Sequence, residues 1–335
     1  MSVTSKPRYA IGIDLGTTNS VLAYIDLQQA ERGPQVLPLP QWESAESFGR
    51  HELLPSFLCA LTPDETESGF QLSDDGPPQS AFAGWQAGGF ARQQMALRPG
   101  RVVASAKSWL CHLDIDRTAP ILPWKSEEIN DEKRLSPIQV SSAYLAYFKQ
   151  GWDRGMAAGR PEAEFAAQEV VITVPASFDE VAQQLTLEAA KLAGFPSNIR
   201  LIEEPQAAFY AWLDKGRNIN QLADLLEQQQ EKSLKVVVCD IGGGTTDLSL
   251  FEVCGDSQAP NGLGLKRLAV SDHILLGGDN IDLTLAYLLE QKLTGKTGKL
   301  AGRQWNQLLA QARDFKERLL RDPAELEQTE FTVTL

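Results

Sequence analysis

Residues 236–250 read VVVCDIGGGTTDLSL, and the fold of the whole chain turns on this stretch. Val236, Val237, Val238 and Cys239 form an apolar run of the kind that makes a buried strand, and Asp240 closes it. Gly242, Gly243 and Gly244 follow; lacking a Cβ, they reach positive φ freely and leave backbone N–H groups open to a ligand. Thr245, Thr246 and Asp247 come next, and Leu248 to Phe251 resumes a strand pattern. The result is a β-hairpin whose turn offers amides and hydroxyls, a shape that suits a phosphate. Taken alone it also fits a tight hairpin that holds nothing, because glycine-rich hairpin turns are common.

The same order of groups occurs near the start of the chain. Tyr9 to Ile13 is an apolar run closed by Asp14, and Gly16, Thr17, Thr18 and Asn19 form a turn before Val21 to Tyr24 resumes a strand. The segment from Asp14 to Ser20 lies beside the segment from Asp240 to Asp247, the second turn being the longer. Two copies of one hairpin predict a duplicated α/β domain with two phosphate-binding turns that face each other.

With 335 residues, 43% hydrophobic and 22% charged, the chain has room for two lobes and a sizeable core. The net charge of −13 argues against general binding to nucleic acid, which needs a basic patch. A nucleotide remains compatible with it, since local amides and a divalent cation offset phosphate charge. The apolar run after the first residues is short and broken by Asp14, so neither a signal peptide nor a membrane anchor is expected. Cys59, Cys111, Cys239 and Cys254 are widely spaced without a CxxC pair, which predicts reduced thiols in a cytoplasmic protein, with Cys239 inside a buried strand.

Along the chain, we place a first lobe over residues 1–196, with an irregular insertion at about 31–80 in which only Leu53 to Leu61 reads as a strand. Trp85 to Met95 looks helical, and Lys107 is a lone cation in an apolar segment, which composition alone reads as a surface lysine. Val140, Tyr144, Tyr147 and Phe148 recur at helical spacing after Ser136-Pro137 and predict a core-facing helix. Glu169 to Val174 is a strand that Pro175 must end, and Val181, Leu185, Ala189 and Leu192 mark one face of the next helix. Glu204 precedes Pro205 at a helix start, where a capping role accounts for it. The second lobe spans 197–335: a polar surface excursion at 214–234 with Leu222, Leu225 and Leu226, the central hairpin, and a strand at 262–270. Gly277 and Gly278 then open a helix with amides free for an anion. Trp305, Leu308, Leu309, Ala312, Phe315 and Leu319 line one face of a last helix, and Phe331 to Leu335 begins a further strand.

With both hairpins in view, the chain resembles the ATPase domain of the seventy-kilodalton heat-shock protein (heat shock protein 70, DnaK-type) chaperones, within the actin-like ATPase superfamily. The residues that carry the resemblance are IGIDLGTTNS (11–20), ITVPASF (172–178), IEEPQAA (202–208), CDIGGGTTDLSL (239–250) and LLGGDNID (275–282), which occur in the family's order. The resemblance implies a ribonuclease H-like duplicated fold, two lobes with mixed five-stranded sheets around a cleft for ATP or ADP and Mg²⁺, with K⁺ as a further ion. In that frame Asp14 and Asp240 hold the water shell of Mg²⁺, which seldom takes a full protein cage. Gly16, Thr17, Thr18 and Asn19 grip the phosphates from one side, and Gly242, Gly243, Gly244 and Thr245 from the other, with Gly277, Gly278 and Lys316 also on the nucleotide. Lys107 matches the family's catalytic lysine, which reverses its reading as a surface residue. Together with Glu204 and Asp247 it orients the attacking water, and slow ATP hydrolysis times lobe closure.

Pro175 matches the family's switch proline. The chain departs from the family at Gln183, where a relay arginine is usual, and at Arg313, where an acid contacts the nucleoside. It ends before the family's last Gly-rich segment, the linker and the peptide-binding domain, so weak nucleotide binding and no autonomous chaperoning are expected. Implied partners are a J-domain co-chaperone, a nucleotide-exchange factor, and client peptide only through the domain outside this chain. Two other functions fit the superfamily: a sugar-type kinase, for which no substrate-pocket signature is found, and a non-hydrolysing module that binds nucleotide or protein partners.

Overall fold

Each hairpin seeds a sheet. The structure is a computed structural model that describes residues 6–70, 73, 75–112, 115–214, 218, 221, 222, 224–226, 233–256, 262–272, 274, 276–295, 298–321 and 332–334. The first hairpin joins β1 (Tyr9–Asp14) to β2 (Asn19–Asp26). The chain continues through β3 (Gln35–Val36), β4 (Leu39–Trp42), β5 (Phe48–His51), β6 (Leu53–Pro55), β7 (Phe57–Ala60), α1 (Pro63–Ser68), β8 (Trp85–Ala87), α2 (Gly89–Leu97), β9 (Val102–Ala104) and α3 (Ala106–Trp109). Then come α4 (Pro137–Trp152), β10 (Glu169–Val174), α5 (Glu180–Leu192), β11 (Arg200–Glu203) and α6 (Glu204–Asp214). The second hairpin, β12 (Ser233–Ile241) and β13 (Thr246–Gly255), is followed by β14 (Leu263–Val270), α7 (Gly278–Thr294) and α8 (Gly302–Arg321).

The first sheet has the order β11-β10-β1-β2-β3, with β6 also on β2. β1 is antiparallel to β2 and parallel to β10, and β10 is parallel to β11. A parallel neighbour needs a crossover, and α4 lies on that connection. Ser136 and Gln139 close a capping box at its start with Pro137 in the first turn, as the sequence predicts. Tyr9, Ile11 and Ile13 share one core with Val140, Tyr144, Phe148 and Trp152 of α4. Tyr9, Tyr24 and Trp152 meet edge to face there, with centroids 5.1–5.9 Å apart.

The second sheet is antiparallel, β12-β13-β14. The first sheet thus has six mixed strands where five are expected, β6 being the addition, and the second has three among the described residues. In the first sheet the parallel strands follow the crossover helix, whereas beyond α8 only residues 332–334 are described. Those residues carry no strand; Thr334 exchanges backbone hydrogen bonds with the Gln311 side chain at 2.9 and 2.7 Å, and Phe331 and Leu335 lie outside the described residues.

Several local expectations are corrected. The insertion at 31–80 carries β3 to β7 and α1; its strands are two to four residues long, too short to show alternation. Trp85 belongs to β8 rather than to a helix, because it pairs with Ala60 of β7. On α5 the buried face is Ala182, Leu185, Thr186, Ala189 and Ala190, while Val181 and Leu192 are exposed, since small residues allow close approach to α4, on which α5 packs. β11, which lies beyond the division expected at residue 196, pairs with β10 and extends the first sheet to Glu203. Leu222 is buried with Phe209, Leu213 and Val253, so part of the polar excursion packs into the second lobe; residues 215–217, 219, 220, 223 and 227–232 of it lie outside the described residues. Cys239 is exposed rather than buried, on the face of β12 where Val237 and Ile241 are exposed too.

Candidate functional site

Both hairpin turns open into one cavity of about 940 Å³, a volume that suits a cofactor. Asp14, Gly16, Thr17, Thr18 and Asn19 line it from the first lobe, and Asp240, Gly242, Gly243, Thr245 and Asp247 from the second. Lys107, Thr173, Pro175 and Glu204 line it too. Asp14 is the last residue of β1, and Asp240, the last but one of β12, pairs directly with Asp247 across the second hairpin.

The turns depend on their glycines at close approaches. A Cβ on Gly16 would overlap the Asn19 carbonyl, so only glycine allows the first turn. A Cβ on Gly243 would overlap the Thr18 hydroxyl, and one on Gly244 would reach Thr17 Cγ2 at 3.7 Å. The two turns therefore face each other at contact distance, as the duplication predicts.

The Gly277-Gly278 pair has another role than the one the sequence suggests. Its amides are not open: Gly277 N donates to Asn280 Oδ1 at 2.8 Å, Gly278 N to the Gly242 carbonyl at 3.0 Å and Asp279 N to the Gly243 carbonyl at 2.7 Å. The start of α7 is spent on the second turn itself. Because N–H and C=O point in opposite directions across a planar trans peptide, holding the Gly242 and Gly243 carbonyls on the helix turns the N–H groups of Gly243 and Gly244 away from it. A Cβ on Gly277 would stand 2.5 Å from the Gly243 carbonyl oxygen, which is why glycine is needed there.

Lys107 is buried, on α3, just after Ser105 with φ of 54°, and its ammonium forms an ion pair with the Glu204 carboxylate at the start of α6. Burial pushes the Glu204 carboxyl up; Lys107 pulls it back by charge and hydrogen bond, and Asp14 and Asp240 push it up again. Burial also raises Asp240, opposed by Lys107 and reinforced by the like charges of Asp14 and Asp247. Asp14 is held by Thr173, whose hydroxyl donates to its Oδ1 at 2.9 Å from the facing position on β10. Sequence reasoning missed Thr173, an ordinary β-branched strand residue that only the β1–β10 register marks out.

Four carboxylates around one lysine leave an excess of negative charge that a cation would offset. Among the described residues no three His, Cys, Asp or Glu side chains group to cage a metal. Asp14 and Asp240 fit Mg²⁺ in the manner of a hard cation bound by one or two carboxylates with water and phosphate completing its shell.

Lys316 stands apart from this cavity. Its Nζ reaches the Gly278 carbonyl at 2.9 Å and the fully buried Asp282 at 2.6 Å. Arg313 binds Asp282 at 2.9 Å and Asp279 at 2.7 Å. Both cations expected on the adenosine side are thus engaged with the first turn of α7, and Lys316 borders a separate cleft with Asn19, Arg92 and Glu317. Arg92 of α2 joins Glu317 at 2.8 Å and Asp314 at 3.5 Å on α8, which ties the lobes across the mouth of that cleft. Arg267 of β14 forms an ion pair with Glu203 of β11 beside a further space lined by Val174 and Gln183. No helix among the described residues is long and apolar enough to cross a membrane.

A family model described as Hsp70 protein matches residues 85–333 of the chain. Among curated proteins, the chain is similar to the chaperone protein HscA of Xenorhabdus nematophila, 33% identical over 296 residues that cover 85% of this chain and 38% of the relative. It is also similar to HscA homologs of Pseudoalteromonas atlantica, 29% identical over 322 residues, and of Acidithiobacillus ferrooxidans, 32% identical over 324 residues; in both, 93% of this chain and 42% of the relative are covered. The chain spans about two fifths of the length of these relatives.

Proposed function

Because the chain belongs to the Hsp70 family and has its actin-like ATPase fold, we propose that it binds ATP and hydrolyses it slowly to ADP and phosphate, coupling nucleotide state to lobe closure. The observation that carries this is the convergence of both turns on one cavity with the Lys107–Glu204 pair against it. The amides of Gly243 and Gly244 and the hydroxyls of Thr17, Thr18 and Thr245 donate to phosphate oxygens from opposite lobes. Mg²⁺, held mainly through water by Asp14 and Asp240, would neutralise phosphate charge when bound. Lys107 supplies the remaining positive charge and orients the attacking water with Glu204 and Asp247. Glu204, whose carboxyl burial makes more basic, accepts the proton of that water. Catalysis here is positioning plus charge neutralisation, which is what phosphoryl transfer requires.

The same reading places the lobe boundary between Glu203 and Glu204, with Pro175 at the cavity wall carrying the nucleotide state outward. On this reading its partners are a J-domain co-chaperone and a nucleotide-exchange factor. Phosphate release with Mg-ATP tests the proposal: Lys107→Ala should lower turnover by about 10²–10³-fold, the effect of removing one preorganised charge-stabilising group. Equal turnover in the two proteins would remove Lys107 from the mechanism.

A further inference from the structure

Asp282 is fully buried on α7, one helical turn beyond Gly278, and a buried carboxylate is tolerated only when it is paired. Its partners are Arg313 Nε at 2.9 Å and Lys316 Nζ at 2.6 Å, which share one face of α8 at i, i+3 spacing. Each cation makes a second contact on the same turn of α7: Arg313 Nη2 joins Asp279 Oδ1 at 2.7 Å, and Lys316 Nζ donates to the Gly278 carbonyl at 2.9 Å. Two acids and two cations thus close on one another with no net charge.

Apolar packing supplies the contact between α7 and α8 but not its register. The buried residues there are Ala286, Leu308 and Ala312, and Ala286 lies two turns into α7. Such a contact sets the distance between helices and leaves their register to directional bonds. At this end of α7 those bonds come from Arg313 and Lys316, and the two are unequal: a guanidinium presents a planar fork that bridges two carboxylates, whereas an ammonium is a point charge. Arg313 therefore sets the spacing of Asp279 and Asp282, and its Cζ also stands over the Phe57 ring of β7, 6.0 Å from the centroid, so the fork is held from the first lobe as well. Asp279 carries this into the second turn, because its N–H holds the Gly243 carbonyl at 2.7 Å. Arg313, Asp279 and the peptide plane that bears the Gly244 N–H follow one another without a gap.

We propose that Arg313 is a positioning residue for phosphate: by bridging Asp279 and Asp282 it aims the N–H groups of Gly243 and Gly244, and it acts on the triphosphate of the bound nucleotide rather than on its nucleoside. Where an acid on the nucleoside is expected at this position, the guanidinium is instead committed to α7 through both Nε and Nη2. The proposal rests on the reading that the two turns grip phosphate.

Magnetic resonance of the whole chain with isotopically labelled glycines, recorded without nucleotide, reads the aim of the turn. Arg313→Lys, which keeps the charge and loses the fork, should move the Gly243 and Gly244 amide resonances and leave those of Gly12 and Gly151 in place. Resonances of Gly243 and Gly244 that stay in place would overturn the proposal whatever the affinities. Calorimetric titration with inorganic tripolyphosphate and with ATP, both with Mg²⁺, reads the consequence. Arg313→Met should weaken both by the same factor, about tenfold, the low end for a hydrogen bond between charged groups. Arg313→Lys should lose less, and equally for both probes, which keeps the comparison open where Arg313→Met does not fold. A loss confined to ATP would place Arg313 on the nucleoside and overturn the proposal, as would unchanged affinity for both probes. Wild type that takes up neither probe would overturn the phosphate reading itself, and this proposal with it.

Discussion

Thr173 shows how one residue bears on the site by holding another in place. Its hydroxyl bond at 2.9 Å fixes one oxygen of Asp14 and leaves the other for a cation shell. Removing it with Thr173→Val should weaken Mg²⁺ binding about fivefold, equivalent to roughly 1 kcal/mol for one net hydrogen bond, with Thr173→Ser restoring affinity. Calorimetric titration of Mg²⁺ into the nucleotide-loaded protein checks this, and equal affinities in wild type and Thr173→Val would refute it. Lys107 illustrates the limit of reading at this scale. Local composition marks it as a surface lysine, and its burial is explained by Glu204, 97 positions along the chain, a partner that no local pattern discloses. The glycines and acids of the two turns were legible, because their chemistry is contained in seven or eight consecutive residues. Asp282 was not, since its two cations come from a helix 31 and more positions away.

At the scale of elements, α5 begins where Asp179 accepts a hydrogen bond from Ala182 N at 2.6 Å, and the Arg117 guanidinium forks onto the same carboxylate with two bonds of 3.1 Å. The hydrogen bond from Arg117 holds the Asp179 carboxyl below its ordinary value of 3.8. Asp179→Ala should cost about 1 kcal/mol by loss of the cap. A depressed carboxyl contributes its stability in full above the ordinary value and loses it as pH falls through the lower folded value, so wild type and variant should converge in strong acid. Urea melts at neutral pH and near pH 2.5 would show it, and a gap of equal size at both would count against the assignment. Helices of three turns or more were legible from apolar spacing, as α4 shows with Val140, Tyr144, Tyr147 and Phe148 all buried. The face of α5 was misread because alanines, not Val181 and Leu192, make the contact. β6 and β7 were legible as the single stretch Leu53 to Leu61, whereas β3, β4, β5, β8 and β9 escaped notice because strands of two to four residues complete too few alternations to stand out from a loop.

For the molecule as a whole, duplication was legible because two turns with the same order of groups are visible without knowing any contact. What closes the lobes on each other was not, since it depends on side chains far apart in sequence. Arg92 joins Glu317 and Asp314 across 225 and 222 positions of chain, and Arg267 joins Glu203 on the other side. Arg92→Ala should speed release of a fluorescent ATP analogue about two- to fivefold, the range of one partly exposed ion pair. Raising the salt concentration should speed release from the wild type and leave the variant nearly unchanged. Stopped-flow dissociation at two ionic strengths measures both, and identical rates would exclude Arg92 as a tie between lobes. A similar economy governs the second turn, where two carbonyls, Gly242 and Gly243, hang on the first amides of α7. The helix and the turn thus behave as a crank and its pin: tilting α7 rotates two peptide planes at once and re-aims the donors of Gly243 and Gly244. A force applied to the outer side of α7, where Ile281 and Leu288 are exposed, is thereby converted into torque on the second turn.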